Sequence, residues 1–128
     1  FIKWIAEEET IQMFGDGSQS RDFTYVDDIA RGTIAAIQDV GYEIINLGGG
    51  RNPVSLNTII FKLEKLIGRK TKIDRKPFHV ADLMETWADI SKAKNLLGWE
   101  PQVSLEEGLE KSVQWYMDNR HWLKEVQV

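Results

Sequence analysis

Apolar positions recur with two different periods along the chain, and together they predict helices mixed with short strands. In five segments the apolar residues return every three to four positions, which is the spacing of one helix face. Three shorter segments are runs of residues typical of strands. The predicted helices are residues 1–6, 27–37 (beginning at Asp27 or Asp28), 56–67, 90–97 and 104–122, and the predicted strands are residues 11–14, 42–47 and 72–74. Helices with so few strands indicate an α/β chain, a small mixed lobe that packs on a sheet outside it.

Residues typical of helix ends support these limits. Ser55 is the expected cap of the third helix, and Asp89 is that of the fourth. Ser104 and Glu107 form a capping box, in which a serine and a glutamate each satisfy a free amide of the first turn. Gly32 lies inside the second helix, where glycine lowers helix stability by about 1 kcal/mol relative to alanine. A glycine at such a position indicates that a neighbour packs closely against it.

Glycines follow the strand pattern at residues 42–47, the strongest in the chain. The three glycines at residues 48–50 stand where a phosphate loop would stand. Their spacing matches neither the dinucleotide pattern nor the Walker pattern, so a turn that ends the strand is the favoured interpretation. The glycines at residues 15–17 are equally a turn or a place where the backbone approaches a ligand.

Composition narrows the class of protein. The chain has 128 residues, 42% of them hydrophobic and 28% charged, which is ordinary for a globular domain and excludes a disordered or collagen-like chain. The net charge of −4 argues against nucleic-acid binding, and no apolar run approaches the ~20 residues of a membrane span. Cysteine is absent, which excludes disulfides and thiolate metal sites and fits a cytoplasmic location.

The chain opens on residues that read as the second half of an amphipathic helix, ending in the glutamates at residues 7–9. They lack the pattern of a signal peptide. Either the chain is trimmed at a domain boundary or it begins inside a domain, and the residues alone leave both open.

Arg21 is the most informative candidate for a binding residue. It lies between the turn at residues 15–18 and the aromatic run at residues 23–25. A guanidinium can hold phosphate oxygens through two hydrogen bonds. An ion pair with Asp22 or Asp27 is the alternative, and the residues alone favour it.

The remaining candidates favour structural roles. His79 and Asp82 could supply two metal ligands, but no matching third residue is near in sequence, so no metal site is expected. Trp115 and Trp122 stand at helical spacing, which more often means packing than stacking on a ligand. The residues alone therefore show an α/β lobe with one candidate anion contact and no catalytic set.

Four motif blocks, in this order, resemble the extended short-chain dehydrogenase/reductases that act on nucleotide sugars. The blocks are FGDGSQSRDFTYVDDIA at residues 14–30; INLGGG with VSL at residues 45–50 and 54–56; Asp82 with TWADISKA and LGWEP at residues 86–93 and 97–101; and SLEEGL at residues 104–109. They cover nearly the whole chain. The greatest likeness is to UDP-glucose and UDP-glucuronate 4-epimerases.

The resemblance implies how the whole enzyme is divided. The family has an N-terminal NAD-binding Rossmann domain and a smaller C-terminal lobe that binds the nucleotide sugar, and residues 1–128 resemble that lobe. The family's glycine fingerprint and catalytic Tyr-x-x-x-Lys pair are not found in this sequence. They are expected upstream, where a tyrosinate takes the 4-hydroxyl proton while NAD takes hydride. The lobe alone is therefore expected to be inactive.

The same resemblance implies roles for individual residues. Arg21 stands where the family's diphosphate-binding arginine stands, and Phe14 is placed like the residue whose main chain meets the uracil. Asp82 matches the acid of an Arg-x-Gly-Asp block, which approaches the ribose or orders a second arginine. Thr86 stands where some relatives carry a bulky aromatic residue, so a larger sugar substituent is expected to fit.

His79 departs from the family pattern, because it replaces the arginine of the Arg-x-Gly-Asp block. A neutral imidazole donates one hydrogen bond but carries no full charge. The second phosphate contact is therefore in question, and Arg75 could compensate only if its loop folds back.

Reaction and partners stay open at this point. A dehydratase or decarboxylase of the same superfamily is an alternative to the epimerase, as is a non-catalytic interaction domain with residues 1–6 and the tryptophan-rich end as partner surfaces. The expected partners are a UDP-sugar, the N-terminal domain and a second copy of this chain. A homodimer or self-association would follow if the face toward that domain is uncovered, through exchange of the first helix or disorder of residues 1–9.

Overall fold

The computed structural model describes residues 1–39, 41–50 and 53–127, which form helices joined by short strands. The helices are α1 (Ile2–Ala6), α2 (Val26–Ala35), α3 (Leu56–Ile67), α4 (Ser91–Leu97) and α5 (Leu105–Leu123), and the strands are β1 (Thr10–Phe14), β2 (Ser20–Arg21), β3 (Val54–Ser55), β4 (Lys72–Lys76) and β5 (Glu85–Thr86). β1 and β4 form a parallel pair. β2 lies between β3, which is antiparallel to it, and β5, which is parallel to it. The predicted mixture of helices and short strands is confirmed.

The hydrophobic core lies where α1, α3 and α5 pack on β1. α3 turns Ile59 and Leu63 inward, one helical turn apart, as its apolar periodicity predicts. They meet Ile5 of α1, Ile11 of β1 and Val113 of α5. Among the described helices, none is long and apolar enough to cross a membrane.

The predicted helix ends are largely confirmed. The hydroxyls of Ser55 and Ser104 each accept a hydrogen bond of 3.2 Å from an amide in the first turn of α3 and α5. Asp89 was expected to cap α4, but α4 begins at Ser91, so Asp89 lies one residue before the capping position. Its carboxylate accepts a hydrogen bond of 2.9 Å from the Ser91 amide.

The strand predicted at residues 42–47 is wrong, because the structure has an irregular segment there. Tyr42 and Ile44 face outward, 91% and 71% exposed, while Ile45 and Leu47 are partly buried. A strand needs a neighbour whose backbone pairs with its amides and carbonyls. The strands of the described ranges pair elsewhere, so the apolar pattern at residues 42–47 forms a surface.

α2 also differs from its predicted limits, and part of its predicted apolar face is exposed. It begins one residue before Asp27 and ends two before Ile37. Ile34 and Ile37 of the predicted apolar face are 67% and 82% exposed. The close packing predicted at Gly32 is confirmed, because a Cβ there would lie 2.8 Å from Nε1 of Trp99.

α1 belongs to the core, contrary to the hypothesis that it is a partner surface. Ile5 and Ala6 are both buried. Self-association, including exchange of this helix between copies, stays a prediction. At the tryptophan-rich end, Trp115 and Trp122 pack edge to face on α5, with ring centres 6.2 Å apart.

Candidate functional site

The three-stranded sheet brings together two site residues that are distant in sequence. Arg21 lies on its central strand, β2, opposite Val54 of β3 and Thr86 of β5. Both Arg21 and Thr86 are partly exposed. The main chains of these two predicted site residues are therefore neighbours.

The guanidinium of Arg21 is held by two partners. Nη1 donates a hydrogen bond of 2.8 Å to the Ser20 carbonyl, and Nη2 donates to the carboxylate of Asp82 in an ion pair. An ion pair was the favoured interpretation of Arg21, but its expected partners, Asp22 and Asp27, are wrong. The chain returns through β5, which places Asp82 beside β2.

Asp82 closes a turn that begins at His79. The Asp82 amide donates to the His79 carbonyl at 2.9 Å, and the Asp82 carboxylate accepts from the Leu83 amide at 2.9 Å. Nδ1 of His79 accepts from the Ala81 amide at 3.2 Å, so the proton of a neutral ring lies on Nε2. The structure thus brings Asp82 to Arg21, while His79 orders its own loop. Among the described residues, no group of three ligating side chains could hold a metal ion.

Phe14 ends β1 at the edge of the glycine turn and is about half exposed. Its carbonyl accepts a hydrogen bond of 2.6 Å from Nε2 of Gln19. Gly15 follows with φ of 85°, and a Cβ there would lie 2.8 Å from the ring of Phe78. The turn therefore needs glycine both for its backbone angle and for the space that Phe78 occupies.

Arg75 lies beside this turn, because β4 runs parallel to β1 with Arg75 opposite Met13. Its Nη1 is 3.4 Å from the Gly15 carbonyl. Hydrogen bonds from Ser18, and more weakly the charge of Arg75, lower the pKa of Asp16. Arg75 thus brings a positive charge to the side of the site where Phe14 lies.

The turn at residues 48–50 does not fit the pyrophosphate of NAD. The Asp22 carboxylate accepts hydrogen bonds from the amides of Gly50 at 2.9 Å and Ala88 at 3.2 Å. A Cβ at Gly49 would lie 2.0 Å from Oδ1 of Asp22. The glycines let the backbone close on a carboxylate, which would repel a phosphate in the same place. The interpretation of these residues as a turn is supported, and no NAD chemistry is assigned to them.

A cavity of about 270 Å³ lies between the segment after β2 and the start of α5. Its lining includes Asp22 and Glu106 and, among the described residues, neither lysine nor arginine. The negative lining disfavours a diphosphate there. The chemistry of anion binding therefore points to Arg21 and not to this cavity.

Asp28 is a structural centre that the sequence analysis treated only as a helix-end acid. Its carboxylate accepts hydrogen bonds from the amides of Gln102 and Val103, and its carbonyl accepts one of 2.9 Å from Nε1 of Trp99. Asp28 thus ties the first motif block to the LGWEP block. The co-occurrence of those two blocks was the only signal for it in the sequence.

Comparisons with known proteins identify the family of the chain. The family model described as GDP-mannose 4,6 dehydratase matches residues 1–112 of the chain. The chain belongs to this family. The family match includes β1, the Arg21 sheet and the loop of Asp82, so the site described above lies within it.

Two relatives of this family member carry the names of enzymes that act on UDP-sugars. The chain is 61% identical over 128 residues to the UDP-glucuronate 4-epimerase of Thermodesulfobacterium geofontis, covering 100% of this chain and 40% of that protein. It is 36% identical over 118 residues to UDP-glucuronic acid decarboxylase 1 of Danio rerio, covering 91% of this chain and 28% of that protein.

A solved structure shows the same relationship. The UDP-glucuronic acid 4-epimerase of Bacillus cereus, in complex with UDP-glucuronic acid and NAD, superposes with a TM-score of 0.82 at 40% identity, covering 92% of this chain and 38% of that chain. The resemblance to extended short-chain dehydrogenase/reductases is confirmed. The chain spans less than half the length of each of these relatives.

Proposed function

We propose that the chain is the nucleotide-sugar-binding part of an NAD-dependent UDP-glucuronate 4-epimerase and that Arg21 holds the substrate's diphosphate. The observation that carries the proposal is the guanidinium of Arg21, partly exposed on a central strand and oriented by Asp82. The 61% identity to a UDP-glucuronate 4-epimerase supports the choice of substrate.

The geometry suits the task of gripping a diphosphate. The Ser20 carbonyl and Asp82 fix the plane of the guanidinium. A guanidinium has five N–H donors, so others remain for phosphate oxygens. A grip on the phosphates alone leaves the hexose free to change its orientation, which inversion at one carbon requires.

The other site residues take supporting roles in this proposal. The main chain of Phe14 meets the uracil, and Thr86, beside Arg21, leaves room for a larger substituent on the sugar. His79 supplies at most one hydrogen bond, from Nε2, because its Nδ1 accepts from the Ala81 amide. Arg75 supplies the second positive charge, and the tyrosine–lysine pair and NAD belong to the rest of the protein.

A decarboxylase acting on the same substrate is the second candidate, because the Danio rerio relative is 36% identical. Both reactions need the same hold on UDP. Incubation of the protein, at the full length of these relatives, with UDP-glucuronate separates them. An epimerase yields UDP-galacturonate, whereas a decarboxylase yields a UDP-pentose and carbon dioxide.

Substituting Arg21→Ala in the protein at the full length of these relatives should raise the Kd for UDP about 10–100-fold, because charge-assisted hydrogen bonds contribute about 1.5–3 kcal/mol. Isothermal titration with UDP measures the change. Arg21→Lys keeps the charge but loses the two parallel N–H donors of the guanidinium. Its Kd for UDP should therefore lie between those of the natural protein and Arg21→Ala. Lys94→Ala, which removes an exposed charge paired with Glu100, is the control and should leave the Kd unchanged. An unaltered UDP affinity in Arg21→Ala would refute the assignment.

We propose further that the chain is a C-terminal lobe that packs on an N-terminal NAD-binding domain. The exposed side chains of Ile34, Ile37, Tyr42 and Ile44 form the candidate contact surface. Amide hydrogen exchange at residues 42–47 should be at least tenfold slower in the longer protein than in the 128-residue chain. Equal exchange rates in the two would show that this surface is not covered.

A further inference from the structure

Gln19 is a buried polar side chain that connects the two sheets. It is 2% exposed and immediately precedes β2. Its Nε2 donates to the carbonyl of Phe14 at the end of β1, at 2.6 Å. The main-chain carbonyl of Gln19 accepts a hydrogen bond of 3.1 Å from the amide of Leu56, at the start of α3. The residue therefore fastens the segment before Arg21 to both β1 and α3.

β2 depends on such anchors because it is short. A strand of two residues forms few ladder hydrogen bonds, so the placement of Arg21 depends on its flanking residues. β1, in contrast, is fixed by the core through the buried side chains of Ile11 and Met13. The hydrogen bond from Gln19 to Phe14 therefore holds β2 in place relative to β1.

The carboxamide of Gln19 is a poor choice for stability alone. Its Oε1 is buried and has no hydrogen-bond partner among the described residues, which is unfavourable. An apolar side chain of the same length would avoid that penalty but would leave the Phe14 carbonyl unpaired. The presence of a carboxamide at this position is therefore best explained by the hydrogen bond that it donates to the Phe14 carbonyl.

We infer that Gln19 is a positioning residue that sets the place of Arg21 for the diphosphate. The inference rests on the function proposed above. It assigns a role within the first motif block that the sequence analysis did not assign, and it predicts that Gln19 acts on the UDP group through Arg21 and not through the main chain of Phe14, to which it also donates.

Gln19→Met in the protein at the full length of its relatives tests this, because methionine keeps the length and removes the donor. The Kd for UDP should rise about tenfold at a temperature well below the Tm, since small displacements of a binding group weaken it strongly. Gln12→Met makes the same exchange at an exposed position of β1 and should leave the Kd unchanged. A lowered Tm with an unchanged Kd would indicate a structural role only and would overturn the inference.

A double-mutant cycle with Arg21→Ala decides how Gln19 acts. If Gln19 acts through Arg21, Gln19→Met should have no further effect on UDP binding once Arg21 is alanine. An equal rise of the Kd in both backgrounds would show that Gln19 acts through the main chain of Phe14 instead, and would overturn the inference while leaving the proposed function intact. An Arg21→Ala variant that binds UDP normally would instead refute the proposed function itself. If Gln19→Met does not fold by circular dichroism, Gln19→Asn replaces it, because the amide that is one methylene shorter keeps the polarity but does not reach the Phe14 carbonyl in the same way, with the same outcomes.

Discussion

Replacing Asp28 by alanine should lower the free energy of unfolding by about 3–5 kcal/mol, because it removes a buried carboxylate that accepts several charge-assisted hydrogen bonds. Asp28 is 1% exposed. Its carboxylate accepts hydrogen bonds from the amides of Gln102 at 3.1 Å and Val103 at 2.9 Å and pairs with Arg31. Alanine would leave both amides and one guanidinium without this partner. Urea unfolding followed by tryptophan fluorescence measures the loss.

Two further substitutions make this expectation specific. Asp27→Ala removes an exposed acid from the same turn of α2 and should cost less than about 1 kcal/mol, the size of a helix-dipole contribution. Asp28→Asn keeps the size but lacks the charge, so it should fall between them. An Asp28→Ala variant no less stable than Asp27→Ala would show that the network does not hold α2.

The stability from Asp28 should also depend on pH. Burial acts to raise the pKa of Asp28, but hydrogen bonds from Val103, Arg31 and Gln102 outweigh it and lower the pKa below its ordinary value. A carboxyl whose folded pKa is lowered contributes stability above its unfolded pKa and loses it as the pH falls through the folded value. The difference between the natural protein and Asp28→Asn should therefore shrink in acid.

Local chemistry made much of the fold predictable. Ser55 and Ser104 cap their helices because a serine hydroxyl satisfies amides within the same turn, whatever lies elsewhere. The periodicity of α3 identified Ile59 and Leu63 as core residues for the same reason. These features depend on residues only a few positions apart, so a single sequence contains them.

Features that depend on distant residues were missed. The partner of Arg21 is Asp82, 61 positions away, whereas the residues alone favoured Asp22 or Asp27. Asp22 closes on the glycine turn through Gly50, which no local pattern indicates. Residues 42–47 have the composition of a strand, but strand formation depends on a pairing partner and not on composition alone.

Substituting Glu7→Gln should lower the free energy of unfolding by about 1–3 kcal/mol at pH 7, the second largest loss expected. Glu7 follows α1 and joins it to α5: its carboxylate accepts two hydrogen bonds from Arg120, at 2.7 and 2.9 Å, and one of 2.9 Å from the Tyr116 hydroxyl. The Arg120 hydrogen bond is the main cause that lowers the pKa of Glu7 to about 2, against the opposing effect of burial. Burial, followed by Glu7, raises the pKa of Tyr116 to about 12, so the tyrosine stays a donor at neutral pH.

The sign of the pH dependence follows from these values. The contribution of Glu7 is fully present above its ordinary pKa of 4.5 and is lost as the pH falls toward about 2. The unfolding free energies of the natural protein and Glu7→Gln, measured in urea from pH 7 to pH 2, should therefore converge in acid. Glu8→Gln is the matched control, since Glu8 is exposed and its carboxylate lies 3.9 Å from Arg69, and its curve should stay close to that of the natural protein. A constant gap between the natural protein and Glu7→Gln would mean that the glutamine disturbs packing and that the charge of Glu7 contributes little. Because α1 enters the core through Ile5, a converging pair of curves would also show that this charged contact holds α1 on α5.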